Sequence, residues 1–472
     1  MIAPRKAVET VRFIDDYCEL YKDIFPEVRS FEAFKYLHVG IMSEIKHKSL
    51  PAIARVVGLE NEQPLHHFLT DSPWNIKVLV ERRLSLTLSI LKGQSFILVI
   101  DETGDKKKGN TTDYVSRQYI GNLGKLENGI VSVNAYGVLG NIVFPLIFKV
   151  FKPQATLREE DTYKTKPELA VEIIKELREL GFKFDLVLAD CLYGESKKFR
   201  NHLNECQLKY VLAVRSNHGA WADEESVEHG NWQTFERVFS KGKEQIYYIQ
   251  EIICKDSEDI RYWKITKDIL RERKNTTWYV MNNFTGDIHQ TIGNTYGFRN
   301  WIEYGLKQAK NEFGWADFRL TNYYQIERWW EIVCCVYLMV SWQAIARDTT
   351  HQTQSQHSNP KSNTEPEVYH QDDCWDFTVT RDFPEITNTE TPKISLKSNI
   401  EPEIYSQHDW WDFSLGWKST LNNLRLIIQP YVFFNFLSPW LRLFTIPPLK
   451  SGFLSLQTIM NEFRGYVSFD SG

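Results

Sequence analysis

The chain has 472 residues, 42% of them hydrophobic and 25% charged, and a formal net charge of −5. This length exceeds one ordinary core and implies two to four domains of a soluble globular protein. The slightly acidic total excludes a uniform basic field, so any nucleic-acid contact must come from local patches.

Aromatic residues reach 14%, with 15 Trp, which suits large cores or base-stacking surfaces. The seven Cys form no CxxC pair, so they read as free thiols in a reducing compartment rather than a disulfide frame or zinc site. The first residues, MIAPRKAVETVRFIDD, contain no apolar signal-peptide core. Leu426 to Leu449 is apolar but broken by Gln429, Asn435, Arg442 and four prolines, a poor membrane span. A cytoplasmic protein without a membrane segment is expected.

From about Val8 to Leu91 apolar residues recur near helical spacing: Phe13, Tyr17 and Leu20, then Phe31, Phe34 and Leu37. SLPAIARVVGLENEQPLHHFLTDS, from Ser49, reads as helix, polar turn, helix. Both a helix-turn-helix and an ordinary small helical bundle fit it. His66 and His67 fall there, as DNA contacts or as plain surface or core histidines.

SFILVIDET, from Ser95, reads as a buried strand whose C-terminal end carries Asp101. IVSVNAYGVLG and NIVFPLIFKVF follow as a hairpin divided at Gly140. PELAVEIIKELREL, from Pro167, is an amphipathic helix with Pro at its start. FDLVLAD repeats the first pattern, an apolar strand ending in Asp190. KYVLAVRSN is another strand. Short β-rich runs then fill residues 218–290 and read as an inserted module. Thr295 to Ala346 returns to helix.

Residues 349–416 carry 12 Asp/Glu and 4 Lys/Arg, a net of −8, which leaves +3 for the rest. KSNTEPEVYHQDDCWDF, from Lys361, recurs as KSNIEPEIYSQHDWWDF, from Lys397, with 12 of 17 positions identical. Two copies are too few for a solenoid, and the composition predicts a flexible acidic arm. A helical region, 417–472, closes the chain, with Pro430, Pro439 and Pro447–Pro448 as expected breaks.

Two strand-end carboxylates suit metal-assisted phosphoryl transfer, where hard oxygen ligands hold two cations around the reacting phosphorus. A lone Asp at a strand end is also a common cap. Glu102 and Asp105 adjoin Asp101 as competing ligands. The run YGFRNWIEYGLKQAK is more specific. It spaces Tyr296, Arg299, Glu303 and Lys310 so that they fall near one face of a helix. Ordinary i,i+4 charge pairing explains Arg299 and Glu303 but neither Tyr296 nor Lys310.

This spacing, Tyr, two residues, Arg, three residues, Glu, six residues, Lys, resembles the signature of DDE transposases of the insertion-sequence 4 superfamily. IDETGDKKKG and LADCLYGES are similar to that superfamily's two aspartate motifs. SRQYIGNLGK, from Ser116, is similar to a stretch in the insertion-sequence 701 group. The separations are 89 residues from Asp101 to Asp190 and 113 from Asp190 to Glu303, room for a β-rich insert in the second gap.

The resemblance implies an α/β RNase H-like catalytic domain, residues 95–348, with a β-rich insertion at about 218–290. It also implies an N-terminal helical DNA-end-binding domain, 1–94. Asp101, Asp190 and Glu303 would be catalytic and bind two Mg²⁺, with Mn²⁺ able to substitute. Arg299 and Lys310 would grip phosphates, and Tyr296 would contact the backbone near the transposon end. A hairpin route with a flipped base needs an aromatic platform. Trp278 is the candidate for it, against the alternative of a core tryptophan. Lys106, Lys107 and Lys108 would neutralise DNA, or else solvate their loop. The expected activity is cut-and-paste transposition by a homodimer that pairs transposon ends and joins them to target DNA. The rivals are another RNase H-like metal nuclease, a silent DNA-binding relative and an interaction protein.

Overall fold

The computed structural model describes residues 5–219, 227–238, 244–254, 260–270, 277–297, 299–358, 412, 414–462, 467 and 469. The acidic repeat at 361–413 lies almost entirely outside these residues.

Five helices come first: α1 (Arg12–Glu19), α2 (Val28–Met42), α3 (Leu50–Val56), α4 (Gln63–Thr70) and α5 (Ile76–Leu91). α1, α2, α4 and the turns beside them share an aromatic cluster of Tyr17, Tyr21, Phe25, Phe34, Phe68 and Trp74. Asn75 caps α5 by accepting from the Lys77 N–H at 2.9 Å.

Next come β1 (Phe96–Lys106), β2 (Ser116–Ile120), β3 (Lys125–Leu139), β4 (Ile142–Phe151), α6 (Lys166–Glu179) and β5 (Phe184–Ala189). After these run α7 (Cys191–Gly194), α8 (Lys197–Glu205) and β6 (Lys209–Val214). Thr165 and Glu168 form a reciprocal capping box at the start of α6. Then come β7 (Val227–His229), β8 (Gln233–Val238), β9 (Glu244–Cys254), β10 (Arg261–Thr266) and β11 (Thr277–Asn282). The last helices are α9 (His289–Gly297), α10 (Asn300–Asn311), α11 (Tyr323–Ser358), α12 (Trp417–Leu443) and α13 (Pro447–Glu462).

Among the described residues, eleven strands form one sheet, in the order β2-β3-β1-β5-β6-β11-β10-β9-β7. β4 adds to β3 and β8 to β9. β1, β5 and β6 run parallel, and the other pairings are antiparallel. This mixed α/β architecture fits the expected RNase H-like domain.

Four details differ from the sequence reading. β1 does not end at Asp101 but continues to Lys106, because the long β3 pairs with it from Ile97↔Val138 to Lys106↔Gly129. Cross-strand pairing overrides the turn-like composition of DETGDK. The β-rich segment is not a separate module. β11 pairs with β6 from Tyr279↔Val214 to Asn282↔Val211, which prolongs the sheet that holds β1 and β5.

Pro430 and Pro439 do not break α12, which runs through both. An internal proline costs a helix about 3 kcal/mol. Burial of Trp417, Leu421, Leu424, Ile427 and Ile428 offsets that cost. Finally, the signature segment is two helices rather than one. It breaks between Gly297 and Asn300, where glycine weakens the helix.

α11 is the spine of the molecule. Tyr323–Thr349 is long and apolar enough to cross a bilayer, but 94% of its most apolar window is buried inside the protein. Tyr17 donates to the Cys335 carbonyl at 2.8 Å, and Ser341 donates to Val143 at 2.8 Å. The helices before residue 94 therefore share a core with those after residue 323.

His38 is fully buried between Phe34 and Tyr17, with Nδ1 on the Phe34 carbonyl at 2.8 Å. Burial holds its imidazole down to about 4, from an ordinary 6.5. The fold takes the neutral ring, while the unfolded chain binds a proton below 6.5. Stability is therefore full above pH 6.5 and falls as pH drops toward 4, by up to about 3 kcal/mol. Urea denaturation of His38→Phe should show a shallower acid limb than wild type over that window. An unchanged limb would remove His38 as its source.

Candidate active site

β1 and β5 lie side by side, with Ile100 opposite Ala189. The next residue on each is an aspartate, so Asp101 and Asp190 sit together where the parallel pairing ends. β5 stops there because Asp190 caps the one-turn helix α7, accepting from the Leu192 N–H at 2.9 Å. α7 is seated directly on β6. A Cβ on Gly194 would lie 2.0 Å from the Ala213 carbonyl oxygen, so only glycine permits this approach. Asp101 accepts from the Glu102 N–H at 2.8 Å.

Asp101 feels its neighbour. Burial first, and then the charge of Asp190, push the Asp101 carboxyl up to about 7, against the pull of Arg299. The nearby cations are paired elsewhere. Lys166 meets Glu102 at 2.8 Å, Lys310 meets Asp105 at 2.9 Å, and Arg299 meets Glu303 at 3.4 Å. Glu102 and Asp105, the competing ligands, thus each hold a lysine, and Asp101 and Asp190 do not.

Glu303 lies in the first turn of α10, half-exposed and turned to Arg299, the helix N-cap. Arg299 stands between the aspartates, whose charge it screens, and Glu303. Among the described residues, no three His, Cys, Asp or Glu side chains form a ready metal cage. Two of the expected carboxylates are adjacent, and the third is engaged with Arg299. Two close, mutually repelling oxygen donors that hold no lysine suit a divalent cation.

Lys310, in the last turn of α10, also donates to the Gly104 carbonyl at 2.8 Å, so its ammonium is fastened to β1. Tyr296 is on α9, beyond the helix break, and its side chain lies outside the described residues. α9 packs on β8. A Cβ on Gly293 would come 2.3 Å from the Phe235 ring.

Lys106 is exposed and pairs with Glu127 at 3.2 Å. Lys107 folds inward, with Nζ 3.4 Å from the Phe318 ring centroid, and burial lowers its ammonium to about 8. Lys108 is exposed. The structure therefore does not gather the three lysines on one surface. Trp278 is half-buried and stacked on Tyr247, with centroids 6.1 Å apart and Arg237 at 5.9 Å. Chain patterns did not single out Lys166 or Tyr193, which close around Glu102. No local signal marks them, because their partner is remote in sequence.

Two families match the chain: the DDE superfamily endonucleases over residues 23–234 and the transposase DDE domain over residues 163–339. Together they take in Asp101, Asp190 and α10, and they define the class as a DDE nuclease. A probable transposase for insertion sequence element IS701, from Microchaete diplosiphon, is 55% identical over 329 residues, covering 69% of this chain and 87% of the relative. The chain belongs to the DDE transposases, in the insertion-sequence 701 group. It is a DNA-cleaving and strand-transferring enzyme, and DNA is its substrate.

Proposed function

We propose that this chain is a cut-and-paste transposase that binds the ends of its element, cleaves them by metal-assisted phosphoryl transfer and joins them to target DNA. The adjacency of Asp101 and Asp190 at the end of a parallel strand pair carries the reading. With Glu303 as third ligand, they would hold two Mg²⁺ or Mn²⁺ ions. Bound there, the ions would activate water and then a 3′-hydroxyl and stabilise the leaving oxygen.

The residues supply the rest. Asp190 is fixed as a helix cap and Asp101 by strand pairing, so the donor pair is rigid before DNA arrives. Glu303 would turn from Arg299 to complete the set, and the guanidinium would meet a phosphate. Lys310, held beside β1, offers a second cation, and Tyr296 a backbone contact. Lys106 and Lys108 are exposed for DNA flanking the cut. Trp278, with Tyr247, offers a stacking surface for a flipped base on a hairpin route.

The helices of residues 1–94 would read the end, with residues 95–348 as the catalytic domain. Residues 349–416 would form the acidic arm, and 417–472 the helical C-terminal region. Two chains would pair two ends in the cytoplasm, because both ends must reach one target.

The test uses a duplex carrying the element's own ends, with Mg²⁺ or with EDTA, and Glu303→Gln alongside. Metal-dependent cleavage lost in the variant, with a hairpin or joined product, supports the proposal. Wild-type binding without cleavage in Mg²⁺ or Mn²⁺ marks a silent DNA-binding relative. Cleavage without joining marks a different metal nuclease.

A further inference from the structure

Arg328 lies near the start of α11 and is 2% exposed. Its guanidinium reaches back to the C-terminal end of α4 and the turn beyond. It donates to the carbonyls of Phe68 and Leu69 at 3.3 Å each, Ser72 at 2.9 Å and Trp74 at 2.8 Å. Trp74 and Tyr324 flank it, with ring centroids at 4.3 and 4.4 Å, and it also donates to the Tyr324 hydroxyl at 2.7 Å.

A helix C-terminus leaves carbonyls without intrahelical partners, and a cation there is favoured by the helix dipole. One buried side chain therefore closes the end of α4 and fastens it to α11. The opposite face of α4 is polar and open, with Gln63, His66 and His67 exposed.

The same helix continues to the catalytic elements. Trp329 and Trp330 donate to the Gly314 and Trp315 carbonyls, each at 3.1 Å, in the segment that follows α10. Further along, the Tyr337 hydroxyl donates to Gln308 on α10, the helix that carries Glu303. Arg328 and Tyr337 are nine residues apart, about 14 Å along a helix. A path of buried hydrogen bonds and one rigid helix thus joins α4 to the Glu303 helix.

We propose that Arg328 is a positioning residue that fixes the distance between the DNA-reading face of α4 and the active site, and so sets which phosphate is cut. This rests on the reading of α4 as part of the end-binding domain. One base step is only about 3.4 Å along a duplex. A small slip of α4 on α11 therefore moves the scissile position by a whole nucleotide. Arginine is required because lysine cannot present several fixed donors to a fan of carbonyls.

The experiment uses the full chain and a labelled duplex carrying the element's end, with Mg²⁺. Cleaved ends are mapped to the nucleotide, and end affinity is followed by fluorescence anisotropy. Wild type should cut at one phosphate. Arg328→Lys should spread the cut over neighbouring phosphates, with affinity within about threefold of wild type. A slower reaction at the same single phosphate would overturn the proposal, because a residue that only supports the fold alters rate and melting without moving the cut.

Tyr324→Phe is the milder companion, since Tyr324 is 44% exposed and the variant loses one hydrogen bond. It should broaden the cut less, and if Arg328→Lys does not fold, an unmoved cut in Tyr324→Phe overturns the proposal. Gln63→Ala with His67→Ala separates the underlying reading. Unchanged end affinity there removes α4 from the DNA and the proposal with it. Weakened affinity, together with a sharp cut in Arg328→Lys, removes the positioning role alone.

Discussion

Asp101→Asn should lose metal-dependent end cleavage by on the order of 10³-fold or more while gaining stability without metal. The two effects share one cause. The Asp101 carboxyl stands at about 7 in the fold, raised by burial and by Asp190, against an ordinary 3.8 in the unfolded chain. The folded state therefore binds more protons than the unfolded state between pH 3.8 and 7, and stability falls as pH rises through that window. Asparagine removes the penalty. Thermal melting in EDTA at pH 8 should be a few degrees higher for the variant than for wild type, and the gap should close at pH 4. Adding Mg²⁺ should raise the wild-type midpoint and leave the variant's nearly unmoved. A variant that melts lower than wild type at pH 8 would show that the carboxylate is a structural partner rather than half of a strained donor pair.

The largest loss of stability is expected at Arg83. Its side chain and that of Glu331 are each 1% exposed, and they form an ion pair between α5 and α11. Arg83 also donates to the Pro145 carbonyl at 3.1 Å and the Leu146 carbonyl at 2.7 Å, at the outer strand β4. Arg83→Met strands a buried carboxylate and two carbonyls, with an expected cost of about 3–5 kcal/mol in chemical denaturation. Arg83→Met combined with Glu331→Leu removes the stranded charge and should recover much of that loss. A double variant as unstable as the single one would mean that the carbonyl contacts, rather than the charge pair, dominate.

The parts of this architecture that sequence patterns reveal are those whose cause is local. An apolar run that ends in an acid marks both β1 near Asp101 and β5 before Asp190. Pro167 announces the start of α6. What is hidden depends on partners remote in the chain. β1 outruns its apolar run because β3 lies beside it, and α12 tolerates two prolines because its first half is buried. The heptad-like spacing of Tyr296, Arg299, Glu303 and Lys310 suggests one helix, but α9, held on β8, ends at Gly297 and α10 begins at Asn300. The pairing of Lys310 with Asp105, 205 positions away in the chain, leaves no trace in local composition. Arg328 looks like any cation on an amphipathic turn until its four carbonyl acceptors are seen.

The junction between β6 and β11 bears on folding and solubility. β6 is Lys209–Val214, and β11 is the neighbour that covers its outer edge. The chain must complete more than sixty intervening residues before that edge can close. Until then, YVLAV presents open backbone donors and acceptors on an apolar ribbon, a template for pairing with another molecule. Excision of residues 218–290 would not trim an accessory. It would leave the central sheet with a bare flank, and the shortened protein should collect in inclusion bodies rather than remain as a smaller soluble nuclease.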